Sequence, residues 1–493
     1  MDRKQSDLQI IPNHASHGGE VYSQNLNNKK ILDFSVNVNH LFKKSIVDMD
    51  LKDLLETIDL YPDSNSTRLK ELLIKISNNA FTRNQIIVGN GAMDLITVFS
   101  DAFFTKNDEI IVVQPTFTEY EWAITKNQAK IINIFRLPEN DFKLPMAEIF
   151  EFLSQSPKAI FICNPNNPNG SLDAHNDIKN ILKQALNSET LVFLDEAFIE
   201  FVEKTPRTNE MLEQCPNLFI CRSFTKFYGI PGLRIGYGLG SQQMISKMKS
   251  YQNLWSVNTV AQELMGRLIG NTHLQELSRE YYTKERKFMF DEINSLYGFK
   301  PYPSNANFLL VNLENLGMNS ADVKTRLVES NILIRDCATL KGLNDKFIRI
   351  AIKDHESNLK IIQEFKKIVN SGGMHPKGID LINQALALKH RKGKDLSCPY
   401  FPCHKQLEDC TFCYCPFYPC HNPISGGNFI TSQKTGKKIW NCADCILSHK
   451  ASNVDIILTE LINLKSSFQE ITHMQLMEIH KKIIDQDEAY HDR

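Results

Sequence analysis

An α/β fold built on a large, mostly parallel sheet is the architecture this sequence predicts, and two patterns predict it. Short, almost wholly apolar runs recur between about residues 30 and 370: EIIVVQP (109–115), KAIFICNP (158–165), ETLVFLDEA (189–197) and NLFICRS (217–223). Strands this apolar need cover on both faces, which is how parallel sheets are built. Polar turns and amphipathic stretches such as AHNDIKNILKQAL lie among them, and buried strands separated by helices read as crossover units. A further segment, roughly 275–370, mixes helix and strand (NFLLVNL, KFIRIAI) and is expected to form a small α+β lobe.

The glycines and proline of SGGMHPKG (371–378) break this pattern. The expected organisation is therefore a main domain over 1–370, a linker over 371–395, a cysteine-rich module over 396–450 and a tail over 451–493. The tail carries apolar residues at helical spacing and is expected to form amphipathic helices. Composition narrows the partners. The 493 residues are 42% hydrophobic and 23% charged, with 56 basic and 57 acidic side chains and a net charge of -1. Without a basic excess the chain is not expected to bind nucleic acid. No apolar run is long enough to cross a bilayer, and the N-terminus MDRKQSDLQIIPNHASHGG has no signal-peptide core, so no membrane association and a cytoplasmic location are expected.

Several motifs carry chemistry. Lys226 lies in RSFTKFYGIPGLRIGY, preceded by Ser223 and Thr225 and followed by Arg234. Two hydroxyls and a guanidinium suit a phosphate dianion, because they supply directional donors and a fixed fork. GNGAM, with Gly91, Ala92 and Met93, opens a predicted helix whose free N–H groups can meet the same phosphate. Asp195 ends an apolar strand, where side chains open into the crevice of an α/β sheet. A carboxylate there can pair with a cationic ring nitrogen. Asn167 in NPNNPNG can hydrogen-bond a ring oxygen, and Phe117 in QPTFTEY can stack on a ring. A lysine, an acid, a phosphate cradle and a flat side chain are what pyridoxal 5′-phosphate requires of a protein.

In this order the segments resemble the fold-type I pyridoxal-phosphate enzymes of the aminotransferase-like class, across most of residues 30–370. That resemblance implies a homodimer in which Tyr61, in LYPD, reaches the partner's cofactor phosphate, with Lys226 and Asp195 as the catalytic pair. NHASHGGEVY, ILDFSVNVN, DEAFIEF, LWSVN, ILIRDCATLKGL and RIAI further resemble the threonine-phosphate decarboxylases of cobalamin biosynthesis. The implied substrate is a small phosphorylated amino acid. O-phosphothreonine would yield 1-aminopropan-2-ol phosphate and O-phosphoserine would yield ethanolamine phosphate. His17, Gly18, Asn37, Asn167, Arg335 and Arg349 are then the implied substrate contacts, and two arginines suit a substrate with two anionic groups. Histidinol-phosphate aminotransferases are similar too, but carry tyrosine where this chain has Phe198 and lack the HGG element. A non-catalytic, metal-dependent binding or regulatory protein on the same scaffold is the third reading, against which the joint presence of Lys226, Asp195 and Arg234 weighs.

Four of the twelve cysteines (Cys163, Cys215, Cys221, Cys337) are scattered through the main domain, and eight fall between Cys398 and Cys445. CPYFPCHK (398–405) recurs as CPFYPCHN (415–422), and Cys410, Cys413, Cys442 and Cys445 form two CxxC pairs. A CxxC turn brings two thiolates onto one metal. Cys398, Cys403, Cys410, Cys413, Cys415, Cys420, Cys442 and Cys445 are thus the expected ligands of zinc or of an iron–sulfur cluster. The module resembles a cysteine-rich small domain found as an appendage in cobamide-related proteins, which leaves it to recruit a protein partner from that pathway, sense redox state or host a second pathway step. No GxxxxGK[ST] loop is present to make it a kinase of that type.

Overall fold

The computed structural model describes residues 14, 18, 19, 31–204, 208–296, 298–316, 318–370, 376–399, 407–417, 420, 422–431, 438–442, 445–464 and 473–486. Seven strands form the main sheet: β1 (Ile86–Gly89), β2 (Glu109–Gln114), β3 (Lys130–Phe135), β4 (Ala159–Cys163), β5 (Leu191–Asp195), β6 (Leu218–Ser223) and β7 (Gly236–Leu239). Their order is β1-β7-β6-β5-β4-β2-β3. β7 runs antiparallel to both neighbours, and every other pairing is parallel. All four apolar runs read from the sequence are strands of this sheet.

Alternation along these strands sends side chains to two cores. Ile111, Ile160, Ile162, Val192, Leu194 and Ile220 face one side. Ile110, Val112, Phe161, Phe193, Phe219 and Cys221 face the other, where α1 (Ala92–Phe103) and α2 (Glu119–Lys126) also pack. The second core is aromatic at its centre: the Phe161 and Phe193 rings stack 4.7 Å apart, and Phe99 stands edge-on to Phe193 at 5.1 Å. Asp195 is the last residue of β5, in register with Cys163 of β4 and Cys221 of β6. The central strands therefore deliver a carboxylate to the edge of an apolar core.

A second, four-stranded antiparallel sheet comprises β8 (Lys300–Pro301), β9 (Phe308–Asn312), β10 (Arg335–Asp336) and β11 (Phe347–Ala351), in the order β10-β11-β9-β8. In its register Arg335 lies opposite Arg349. By clustering of contacts the chain divides into two units, one of 1–293, 300–312 and 327–359, the other of 294–299, 313–326 and 360–493. Spatial contacts regroup from residue 360, and the second unit takes in two earlier segments.

In the second unit, the stretch expected to be a linker contains a helix, α3 (Pro376–Leu388). Its Ile382 and Ala385 are buried in one cluster with Phe412, Phe417, Cys420 and Cys445. The tail forms α4 (Ala451–Asn463) and α5 (His473–Gln486), which contribute Val454, Ile457, Leu458, Leu461, Leu476, Ile479 and Ile483 to the same cluster. Their spacing of three and four residues gives each helix one apolar stripe. No helix among the described residues is long and apolar enough to cross a membrane.

Candidate active site

A cavity of ≈ 430 Å³ opens at the C-terminal ends of the parallel strands, within the first unit. Lys226 lies on its wall, in the single turn Phe224–Phe227 that follows β6. Burial pushes its ammonium down to about 8, and the charges of Arg349 and Arg234 add to this. An amine so shifted is neutral far more often than a surface lysine and can act as a nucleophile or base.

Asp195 faces the same cavity, 4% exposed. Its Oδ2 accepts a hydrogen bond from the Tyr120 hydroxyl at 2.5 Å and its Oδ1 accepts from the Ala197 N–H at 2.9 Å. Burial nevertheless pushes its carboxyl up to about 6, and among the described residues no basic side chain is named as acting on it. A buried carboxylate supplied with donors but no cation fits a ligand that brings the positive charge itself. Tyr120 escaped the sequence reading. The only signal was its place three residues after Phe117, which puts both on neighbouring positions of the turn leading into α2.

The opposite end of the cavity suits a dianion. Gly91 caps α1 with φ +83°, and a Cβ there would lie 2.6 Å from Nη2 of Arg234. Glycine thus lets the guanidinium and the helix N-terminus share one space. Ala92, Met93, Ser223, Thr225 and Arg234 all line it, and the Ser223 and Thr225 hydroxyls are 2.7 Å apart. Phe117 lines the cavity and meets the Tyr120 ring edge-on at 5.6 Å. The residues present therefore fit pyridoxal phosphate at both ends and across its ring.

Toward the second sheet stand Gly18, Asn37, Asn167, Phe198, Arg335 and Arg349. Arg349 donates to Oδ1 of Asn167 at 2.6 Å and to the Ser35 carbonyl at 2.9 Å, while its buried Nε has no partner among the described residues. Burial pushes its guanidinium down to about 10, with Arg335 adding to the effect. Oδ1 of Asn37 is likewise buried without a partner. Gly18 is fixed by space, since a Cβ would meet the Ser35 carbonyl oxygen at 2.4 Å. His17 lies outside the described residues. Tyr61 does not line this cavity; it is 79% exposed and stacks on Trp255 at 4.5 Å.

In the second unit, Cys413 N–H donates to the Cys410 carbonyl at 3.2 Å and Cys445 N–H to that of Cys442 at 3.0 Å, so one hydrogen bond joins the two cysteines of each CxxC pair. The Asp395 N–H donates to Sγ of Cys410 at 3.3 Å, and the Cys398 N–H donates to the Asp395 carbonyl at 3.3 Å. Cys415, Cys420, Cys442 and Cys445 share one apolar cluster. Among the described residues no three His, Cys, Asp or Glu side chains are arranged to hold a metal ion. Cys403 lies outside those residues.

Residues 29–365 match the family described as aminotransferase class I and II. The chain belongs to that family. Residues 389–472 match a cysteine-rich small domain. The chain is 33% identical to a histidinol-phosphate aminotransferase of Methanosphaera stadtmanae, over 65% of this chain and 85% of that protein. It is 32% identical to a putative threonine-phosphate decarboxylase of Caldanaerobacter subterraneus, over 66% of this chain and 88% of that protein. The L-threonine-O-3-phosphate decarboxylase of Porphyromonas gingivalis superposes with a TM-score of 0.57 at 25% identity, covering 69% of this chain and 99% of that one. The fold is thus that of the fold-type I enzymes, and the protein is an enzyme of the pyridoxal-phosphate-dependent aminotransferase-like family. Relatives with two different reactions match about equally well.

Removing the Tyr120 hydroxyl removes a donor that favours ionised Asp195. Tyr120→Phe is expected to raise the Asp195 pKa above about 6. A titration of cofactor-free protein with pyridoxal phosphate across pH should then show binding that weakens about tenfold and recovers only at higher pH. Unchanged affinity at every pH would remove Tyr120 from the account.

Proposed function

We propose that this enzyme decarboxylates a small phosphorylated amino acid, O-phosphothreonine or O-phosphoserine, to the corresponding amine phosphate for the cobamide nucleotide loop. The observation that carries the reading is the convergence on one cavity of Gly18, from the HGG element, with Arg335 and Arg349. Two guanidiniums in one recess suit a substrate with a carboxylate and a phosphate, and Gly18 packs directly on the Ser35 carbonyl at the cavity wall. Phe198, buried and edge-on to Phe308 at 5.0 Å, offers no hydroxyl to the cofactor ring. The similarity to threonine-phosphate decarboxylases supports the same choice.

The cofactor is held by Lys226 through its aldehyde, by Asp195 at its ring nitrogen, by Asn167 at its ring oxygen and by Phe117 on its face. Its phosphate meets Gly91, Ala92, Met93, Ser223, Thr225 and Arg234, with Tyr61 contributed to a second copy in a homodimer. When bound, pyridoxal phosphate supplies the electron sink for the pair left as a substituent leaves the substrate's α-carbon. The protein's own residues select the substituent. Arg349, fixed by Asn167 and the Ser35 carbonyl, and Arg335 would hold the substrate's anionic ends and so set which substituent of the α-carbon leaves, with His17, Gly18 and Asn37 as further contacts. The bond from α-carbon to carboxylate would break and carbon dioxide leave, and Nζ of Lys226, freed when the substrate's amine replaces it, would return a proton to the α-carbon. Donation suits an amine whose pKa is already pushed down to about 8.

A second reading is amino transfer from a phosphorylated amino alcohol such as histidinol phosphate, favoured by the 33% identity to the Methanosphaera enzyme. One assay separates the two. Purified enzyme with O-phosphothreonine or O-phosphoserine should release carbon dioxide and the amine phosphate in equal amounts, and Lys226→Ala should abolish both. Pyridoxamine phosphate formed from histidinol phosphate, with no carbon dioxide from either amino acid, would establish the second reading instead.

The cysteine-rich module supports a further proposal, that it holds zinc or an iron–sulfur cluster through its eight cysteines and offers a surface to a cobamide-pathway protein. The hydrogen bonds joining Cys410 to Cys413 and Cys442 to Cys445, and an N–H to sulfur hydrogen bond at Cys410, support metal binding. Metal analysis of protein purified without oxygen should find zinc or iron in stoichiometric amount, reduced when Cys442 and Cys445 are both replaced by serine. Metal-free folded protein would refute it.

A further inference from the structure

Lys226 stands on a turn that does not hold itself. Its four residues, Phe224–Phe227, are too few for a self-supporting helix, and the last carbonyls have no partner within it. One residue from far along the chain serves two of them. The Asn39 N–H donates to the Lys226 carbonyl at 2.9 Å, and its Nδ2 donates to the Phe227 carbonyl, 188 positions away, at 2.8 Å. The same Nδ2 donates to the Ser278 hydroxyl at 3.0 Å, and Oδ1 accepts from the Leu41 N–H at 2.9 Å, so the amide is engaged at both ends. Asn39 is 1% exposed, out of reach of competing water. Gly229, at φ +69°, leaves room for it, since a Cβ there would lie 2.6 Å from the Asn39 carbonyl oxygen.

The residues just before Asn39 are fastened to the second sheet. The Phe34 carbonyl accepts from the Ala351 N–H at 2.8 Å, the Ser35 carbonyl from Arg349 at 2.9 Å and the Val36 carbonyl from Nζ of Lys353 at 3.1 Å. Ser35, Val36 and Asn37 line the cavity. Residues 34–39 therefore form a strap from β11, which carries Arg349, to the turn that carries Thr225 and Lys226. We propose that Asn39 is a positioning residue for the reaction, which fixes that turn and so sets where Nζ of Lys226 stands relative to Arg349. It touches neither cofactor nor substrate and acts through Thr225 and Lys226, which both line the cavity. This rests on the contacts proposed above for Thr225, Lys226 and Arg349.

Two readouts follow the turn rather than the stability of the fold. Release of pyridoxal phosphate from the holoenzyme without substrate, measured by its capture on a cofactor-free acceptor enzyme, should be about tenfold faster in Asn39→Ala, because Thr225 and Lys226 are both less well aimed. With O-phosphothreonine, kcat should fall about tenfold while KM stays within about twofold, since Arg335 and Arg349 keep their own contacts. Asn39→Asp has the same shape, still accepts from Leu41 and loses the amide donor to Phe227, so it should show the same pattern at neutral pH. Ser278→Ala, which leaves both bonds to the turn in place, should match the parent in release and in kcat. A variant that merely melts at lower temperature keeps the parent's release rate and kcat wherever it is folded. If the parent transfers an amino group instead of releasing carbon dioxide, the decarboxylase reading fails, whereas cofactor release still reports on Asn39. Release at the parent rate in folded Asn39→Ala or Asn39→Asp, a raised KM with kcat unchanged, or failure of both variants to fold would overturn the inference.

Discussion

A carboxylate buried at the end of the central strand, with no cation of its own, is the constraint on which the site is built. Asp195 emerges from β5 between Cys163 and Cys221, two side chains that add neither charge nor strong donors. Its stabilisation comes from one phenol and one backbone N–H. Those bonds do not outweigh the desolvation that pushes the group up to about 6. In a low-dielectric setting a cationic ring nitrogen would relieve that cost, and the nearby flat surface of Phe117 and the amine of Lys226 fix how such a ring can lie. Strand order, aromatic core and cavity chemistry thus depend on the same β5 terminus.

The remaining charges divide the cavity by function. Arg234 shares its space with the N-terminus of α1, which favours a phosphate. Arg349 and Arg335 come from adjacent strands of the second sheet and lie opposite each other in register. Arg335 adds to the effect of burial on Arg349, so an anionic ligand between them is favoured. The two clusters also act on Lys226, and the same arginines that would bind anions thereby keep its amine reactive. Binding and acid–base chemistry are electrostatically linked through this one lysine.

The strands and their sheet were legible because burial on both faces writes itself into composition: an apolar run such as LVFLD has few alternatives to a central strand. Lys226, Asp195 and Arg234 were legible as types at ends of elements, where α/β folds place their chemistry. Contacts that join distant parts of the chain were not. Asn39 and Phe227 are 188 residues apart, and Asn167 and Arg349 are 182 apart, so only folding reveals either pair. Tyr120 was hidden because a tyrosine at a helix start is equally at home in a core, and only the arrival of Asp195 beside it gives it a role. The helix Pro376–Leu388 was not legible for a similar reason, since its Ile382 and Ala385 are buried with apolar residues of the later helices.

The central claim is that Lys226 holds the cofactor covalently while Asp195 meets its ring. Borohydride reduction of the yellow enzyme, followed by peptide mapping, tests the first half directly. The account predicts one pyridoxyl group per chain, on the peptide that contains Lys226, and none in Lys226→Ala. A label on any other lysine, or no label on protein reconstituted with pyridoxal phosphate, would contradict it.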